Sequence, residues 1–160
     1  MSSDNATVKK RVELATSKIV GLLEKVDAFW GSESTPPNPP ASQDAIAAVE
    51  KRLGQPLPVD YRTFLELHDG WPMMAHFLFL STAQLLDPEE FGDPADDDNS
   101  LKGGAWLIVS VEEDTGYCLR PANESWEVVE VHQSEPDDPT TFVEVVEELA
   151  KDAEEWAEEA

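Results

Sequence analysis

Residues 42–80 read SQDAIAAVEKRLGQPLPVDYRTFLELHDGWPMMAHFLFL. Ser42 is placed to cap a helix, with Asp44 in its first turn to complement the dipole. Ile46, Val49 and Leu53 recur at helical spacing and give that helix a buried face. Gly54 can take the left-handed conformation that closes it. Pro58 suits the first turn of a second helix, where its missing N–H costs nothing. Tyr61, Phe64 and Leu65 supply the buried face of this helix, and Gly70 ends it. Trp71-Pro72 then turns the chain into a strand expected over Ala75–Ser81.

Outward from this segment, Val8, Val12, Ala15, Ile19, Leu22, Val26 and Phe29 form one apolar stripe, predicting an amphipathic helix over about 5–30. Lys9, Lys10, Lys18 and Lys25 lie off the stripe. The stretch GSESTPPNPP reads as an extended linker packed on the domain surface, because proline pushes the residue before it out of the helical region. After Ser81, TAQLLDPEEF predicts a short helix with Leu85, Leu86 and Phe91 inward, and residues 92–104 predict a loop. Trp106–Val111, Tyr117–Leu119 and Trp126–Val131 read as strands of an antiparallel meander, with a turn at Glu113–Gly116. Trp126, Val128 and Glu130 share one face of the last of these, Val129 and Val131 the other. A final helix opens at Pro139 with Asp138 as its cap, and Phe142, Val145, Val146, Leu149, Ala153 and Trp156 form its stripe.

The chain has 160 residues, one domain's worth, and a globular composition, 41% hydrophobic and 28% charged. No apolar N-terminal leader stands out, and no apolar run is long enough to span a bilayer. One cysteine, Cys118, cannot form an internal disulfide, and a small apolar strand residue is its simplest role. These features predict a cytoplasmic protein. The net charge is −23, and nearly all of it follows residue 60: residues 61–160 hold 4 basic and 26 acidic side chains. Such a field repels nucleic acid and anionic lipid and steers basic partners onto the surface. Solubility alone is the competing explanation.

Chemistry is hard to place. His68-Asp69 could pair as acid and base, but neighbours in sequence on a helix do not face each other, and a solvated helix end is the simpler reading. Asp96, Asp97, Asp98 and Asn99 lack the ligand spacing, central glycine and closing glutamate of a calcium loop. His68, His76 and His132 lack zinc spacing, and His76 reads as a strand residue with a satisfied hydrogen bond. No phosphate-binding glycine loop or nucleophile elbow occurs. We therefore expect no catalytic residues, metal ligands or cofactor.

The order Ile46, Glu50, Leu53-Gly54, Leu57-Pro58, Asp60-Tyr61, Phe64-Leu65 and Gly70 resembles the signature of the SUKH superfamily, I-x-x-x-E-x-x-L-G-x-x-L-P-x-D-Y-x-x-F-L followed by a glycine. That superfamily includes fungal regulators of cell-wall synthesis and many bacterial immunity proteins. The resemblance implies an α+β single domain over 1–160, with an N-terminal helix over 1–30, a Pro-rich linker over 31–41 and a core over 42–160. Its helices would pack on a mainly antiparallel sheet of about four to six strands. The function it implies is non-enzymatic protein binding, either neutralising a polymorphic toxin by occlusion or acting as a housekeeping adaptor. Combined with the charge, it predicts a basic toxin domain as partner, a nuclease being the natural case because its substrate groove must be positive. The expected contact residues are Asp96, Asp97 and Asp98, Glu112, Glu113 and Asp114, and Glu148, Asp152 and Glu155 of the last helix. Trp71 is a candidate anchor if exposed, since tryptophan is favoured at hot spots; a place in the core is the simpler reading.

Overall fold

The Ser42 hydroxyl accepts a hydrogen bond from the Ala45 N–H at 3.1 Å, and with that cap helix α2 (Gln43–Leu53) begins. Gly54 closes it at φ +88°, its N–H bonded to the Glu50 carbonyl. The Glu50 carboxylate reaches across the turn to accept the Leu57 N–H at 2.7 Å, and it lies 3.5 Å from the Arg62 guanidinium. Glutamate at this signature position therefore holds the two helices in register. Pro58 is the N-cap of helix α3 (Val59–Leu67), one residue earlier than its expected place in the first turn. Tyr61, Phe64 and Leu65 are buried as their spacing predicted.

Asp60 is buried, and both its oxygens are engaged. One accepts the Tyr61 N–H at 2.8 Å and the other the Val143 N–H at 2.9 Å. The second bond satisfies an otherwise orphaned donor at the start of helix α5 (Phe142–Glu159). The cap residue proper is Thr141, which accepts the Glu144 N–H; helix α5 begins three residues after the expected Pro139, and Asp138 is not its cap. The ring of Phe142 packs edge-on against Tyr61 at 5.0 Å and near Phe64 at 5.5 Å, and Phe64 meets Phe79 at 5.4 Å.

A computed structural model describes residues 2–87, 94, 98–110, 115–122, 125–132, 135–136 and 138–160. Within them, α1 (Ser2–Trp30), α2, α3, α4 (Thr82–Leu86) and α5 pack with a six-stranded antiparallel meander. Its strands are β1 (Trp71–Met74), β2 (Phe77–Phe79), β3 (Ala105–Ser110), β4 (Thr115–Ala122), β5 (Ser125–His132) and β6 (Glu135–Pro136), hydrogen-bonded in chain order. The α+β single-domain expectation holds. The main core includes Leu107, Leu119 and Val128 from the sheet with the buried faces of α1, α2, α3 and α5. A second, smaller cluster of Leu101, Cys118, Val129 and Val131 occupies the opposite face. The alternation read along Trp126–Val131 is thus the alternation of the two clusters.

The strand expected over Ala75–Ser81 is instead a hairpin, β1 and β2, turning at Ala75-His76. Ala75 sits at φ +56°, a conformation that costs a non-glycine residue roughly 1–2 kcal/mol. The turn is held from outside, because the Ala75 N–H donates to the Ser34 hydroxyl at 2.8 Å. That hydroxyl belongs to the proline-rich linker, which runs along β1. The Thr35 N–H donates to the Met73 carbonyl, the Asn38 N–H to the Gly70 carbonyl, and the Trp71 indole N–H to the Thr35 carbonyl at 2.7 Å. The linker thus covers an edge strand that would otherwise present unpaired backbone groups. His68 and Asp69 are occupied here too: His68 Nδ1 lies 2.9 Å from the Asn38 carbonyl, and Asp69 accepts the N–H and hydroxyl of Thr82. They form neither an acid–base pair nor a merely solvated helix end. Helix α4 is shorter than expected and Leu86 is exposed, so it does not face the core; Phe91 lies outside the described residues.

Two glycines separate conformational cost from crowding. Gly54 and Gly70 both have positive φ, +88° and +85°. A Cβ at Gly54 meets open space, whereas one at Gly70 falls 2.8 Å from the Ser81 backbone. Gly54→Ala is expected to lose about 1 kcal/mol and Gly70→Ala about 2–4 kcal/mol in urea unfolding. Equal losses would contradict the close approach of β2's exit to Gly70. Asp60→Ala, which leaves the Val143 N–H buried and unpaired, is expected to cost about 2–3 kcal/mol, and Asp60→Asn roughly half of that, since an oxygen acceptor remains. A loss below about 0.5 kcal/mol for Asp60→Ala would show that α3 and α5 are joined by their apolar contacts alone.

Candidate partner-binding surface

Helix α5 has two acidic flanks of different character. Glu147 and Glu154 face α1: the Arg11 guanidinium donates two hydrogen bonds to Glu147, one of 2.9 Å, and Lys18 lies 2.6 Å from Glu154. The Arg11 bonds hold the Glu147 carboxyl below the usual range. The helix whose packing the sequence left open is therefore the neutralising partner of one flank. Glu144, Glu148, Asp152 and Glu155 fall on a second stripe, at spacings of four, four and three. Burial, then the neighbouring Glu148 and Glu155, pushes the Asp152 carboxyl up, with Lys151 opposing. Like charges are concentrated there more than they are compensated.

Between this stripe and the sheet lies an open cleft of 610 Å³. Glu144 and Glu148 line one side, Tyr117 of β4 and Glu130 of β5 the other, and Asp138 and Thr140 the approach to α5. Tyr117 and Glu130 are opposite each other in the strand register. Burial, then the Glu130 carboxylate and its hydrogen bond, and then Asp152 and Glu148, push the Tyr117 hydroxyl well above its ordinary value. The hydroxyl thus stays protonated and donates to Glu130. No basic side chain lines the cleft among the described residues. A pocket of carboxylate acceptors complements a protruding lysine or arginine.

The structure brings Glu148, Asp152 and Glu155 together, as expected. It separates Asp98 from them. Asp98 accepts the Ser100 N–H at 2.8 Å, and its carboxyl, held below its ordinary value chiefly by Ser100, also feels Arg120. Arg120 shares the face of Cys118 and pairs with Glu127, so Asp98 belongs to the opposite side of the sheet. Asp96, Asp97, Glu112, Glu113 and Asp114 lie outside the described residues. Trp71 is 1% exposed, and its indole N–H is spent on the linker, so it is a core residue and not a surface anchor. Glu130 and Tyr117 were absent from the expected set. The signal for Glu130 was present, because a glutamate on the inward-facing register of an alternating strand needs a reason.

Burial, and then the neighbouring Glu148 and Glu155, disfavour the charged Asp152, so its ionisation destabilises the fold above its raised pKa and has no effect below the ordinary aspartate value of about 4. Asp152→Asn is expected to raise the urea midpoint at pH 7, with the difference closing as pH falls towards about 4 and shrinking with added salt. A midpoint unchanged or lowered at pH 7 would mean that the stripe is compensated after all.

Among the described residues, no group of three or more His, Cys, Asp or Glu side chains is arranged to hold a metal ion. No described helix is long and apolar enough to cross a membrane. Comparison with curated proteins gives no match. Compared with protein-family models, the chain matches the SMI1 / KNR4 family (SUKH-1) over residues 40–159. That span runs from the end of the linker through α5 and leaves α1 outside it. The matched span is three quarters of the chain and contains every signature position, from Ile46 to Gly70, whose structural role the fold accounts for; the chain belongs to the SMI1 / KNR4 family (SUKH-1).

Proposed function

We propose that this protein is a non-enzymatic binding domain that acts as an immunity protein, neutralising a basic toxin domain by stoichiometric occlusion. The observation that carries this reading is the acidic stripe Glu144, Glu148, Asp152 and Glu155 beside a carboxylate-lined cleft. Acids at these spacings repel one another, and Glu155 lies towards the helix C-terminal end, where the dipole disfavours a carboxylate. They are costly as a solubility device, and a cationic surface laid over them would relieve the cost. Family membership supports a protein as the ligand. A nuclease is the natural toxin, since its substrate groove is positive and masking that groove abolishes activity. The setting is the cytoplasm of the producing cell.

The test is capture from a lysate of the native cell at low and moderate salt, using the wild type and the triple reversal Glu148→Lys, Asp152→Lys, Glu155→Lys. One basic protein retained in near-equal amount by the wild type, lost with the triple reversal, and toxic when expressed alone is the expected result. Retention that survives the reversal would overturn the reading of this surface. A retained partner without toxicity would favour an adaptor over an immunity protein.

A further inference from the structure

Helices α1 and α5 run parallel: Arg11 pairs with Glu147, Lys18 with Glu154, and Trp30 meets Trp156. Their C-terminal ends consequently lie together, and aromatic rings fill the junction. Trp30 and Trp156 are edge-on at 5.3 Å, Phe29 stacks on Trp156 at 6.3 Å, and the His76 ring lies 4.6 Å from Trp30. Exposure here is unusual for such residues: Trp30 is 41% exposed and Phe29 36%, among the few large apolar side chains that face solvent. His76 is 8% exposed, and its Nδ1 has no hydrogen-bond partner among the described residues, in place of the satisfied strand histidine expected from the sequence. A buried ring nitrogen thus lies beside the solvent-facing indole of Trp30.

Charge at this end is mostly negative, with Lys25 a cation one turn further back on α1. Neither helix carries a basic residue in its last turn, so both negative dipole ends are left uncompensated by side chains. Glu155, Glu158 and Glu159 add three carboxylates from the last turns of α5. Hydrogen bonds tie the end of α1 to the linker and the hairpin. The Asp27 carboxylate accepts the hydroxyls of Ser32 and Ser34, and Ser34 in turn holds the strained turn at Ala75 beside His76. These bonds keep the Asp27 carboxyl below its ordinary value against the opposing effect of burial. A solvent-facing indole in a mostly negative field favours a stacked guanidinium.

We infer that the shared C-terminal end of α1 and α5, centred on Trp30 and Trp156, is the anchor for an arginine side chain on the basic partner. The inference rests on the reading of that partner as basic, and it locates the anchor at Trp30, where the sequence alone had offered Trp71. Arginine is favoured over lysine because its planar group stacks as well as attracts.

The experiment titrates the full chain, labelled on its indole N–H groups, with octa-arginine and with octa-lysine at about 0.15 M salt, a physiological ionic strength. Octa-arginine is expected to move the Trp30 and Trp156 resonances while those of Trp71, Trp106 and Trp126 stay in place. It is expected to bind about three- to tenfold more tightly than octa-lysine. Trp30→Leu should erase that preference and Trp30→Phe should keep part of it; both are tolerated because Trp30 is half in solvent. Equal binding of the two peptides, unaltered by Trp30→Leu, overturns the anchor and leaves the charge reading standing. Absence of binding by either peptide overturns both. Trp30 resonances that broaden with protein concentration, alongside a doubled mass in sedimentation, would instead assign the patch to a second copy of the chain.

Discussion

The buried carboxylate of Asp60 is the constraint on which the other features depend. It accepts one N–H from its own helix and one from the start of α5, joining the signature segment to the end of the chain. A charge taken out of water is tolerated because both oxygens have donors and one donor sits at a helix N-terminus. Helix α5 then carries the flank that pairs with α1, the acidic stripe and, with Trp156, part of the aromatic end. An internal polar bond thus fixes the start of a helix more than 80 residues away in sequence.

Acidity is distributed on this fold by flank. The near-neutral first 60 residues are not a separate feature, since Arg11 and Lys18 of α1 pair with the inner flank of α5. Among the described residues, the outer flank of α5 and the cleft with Tyr117 and Glu130 gather carboxylates that α1 does not pair. Each ion pair to α1 is partly exposed and contributes modestly, on the order of a few tenths to 1 kcal/mol. Apolar contacts through Val12, Ile19 and Val26 therefore do most of the holding, and the pairs set the register. Destabilising charge kept at one surface is the usual cost of a site that needs it.

Most of the architecture was legible because each junction from Ser42 to Gly70 has a local cause: a cap, a left-handed glycine or a proline. The hairpin was not, since Ala75-His76 has none of the residues that announce a turn and is held by Ser34, which is remote in sequence. The start of α5 was misplaced because Asp138 and Pro139 form a plausible cap, while the actual cap is Thr141, favoured by the anchoring of Val143 to Asp60. Of the site, the stripe Glu148, Asp152 and Glu155 follows from helical spacing alone. Its opposite wall does not, because pairing Tyr117 with Glu130 requires the strand register. Trp71 and Trp30 could not be ranked by sequence either; an indole N–H bonded to the linker and an indole half in solvent are tertiary facts.

The central claim is that the acidic excess recognises a partner and does not merely solubilise the chain. Its most direct test is the association rate constant with the captured partner, measured by stopped flow across ionic strength. Recognition through an uncompensated stripe predicts a rate that falls steeply between about 0.01 and 0.15 M salt while the dissociation rate changes little. An association rate that is flat across that range would contradict it and return the charge to solubility.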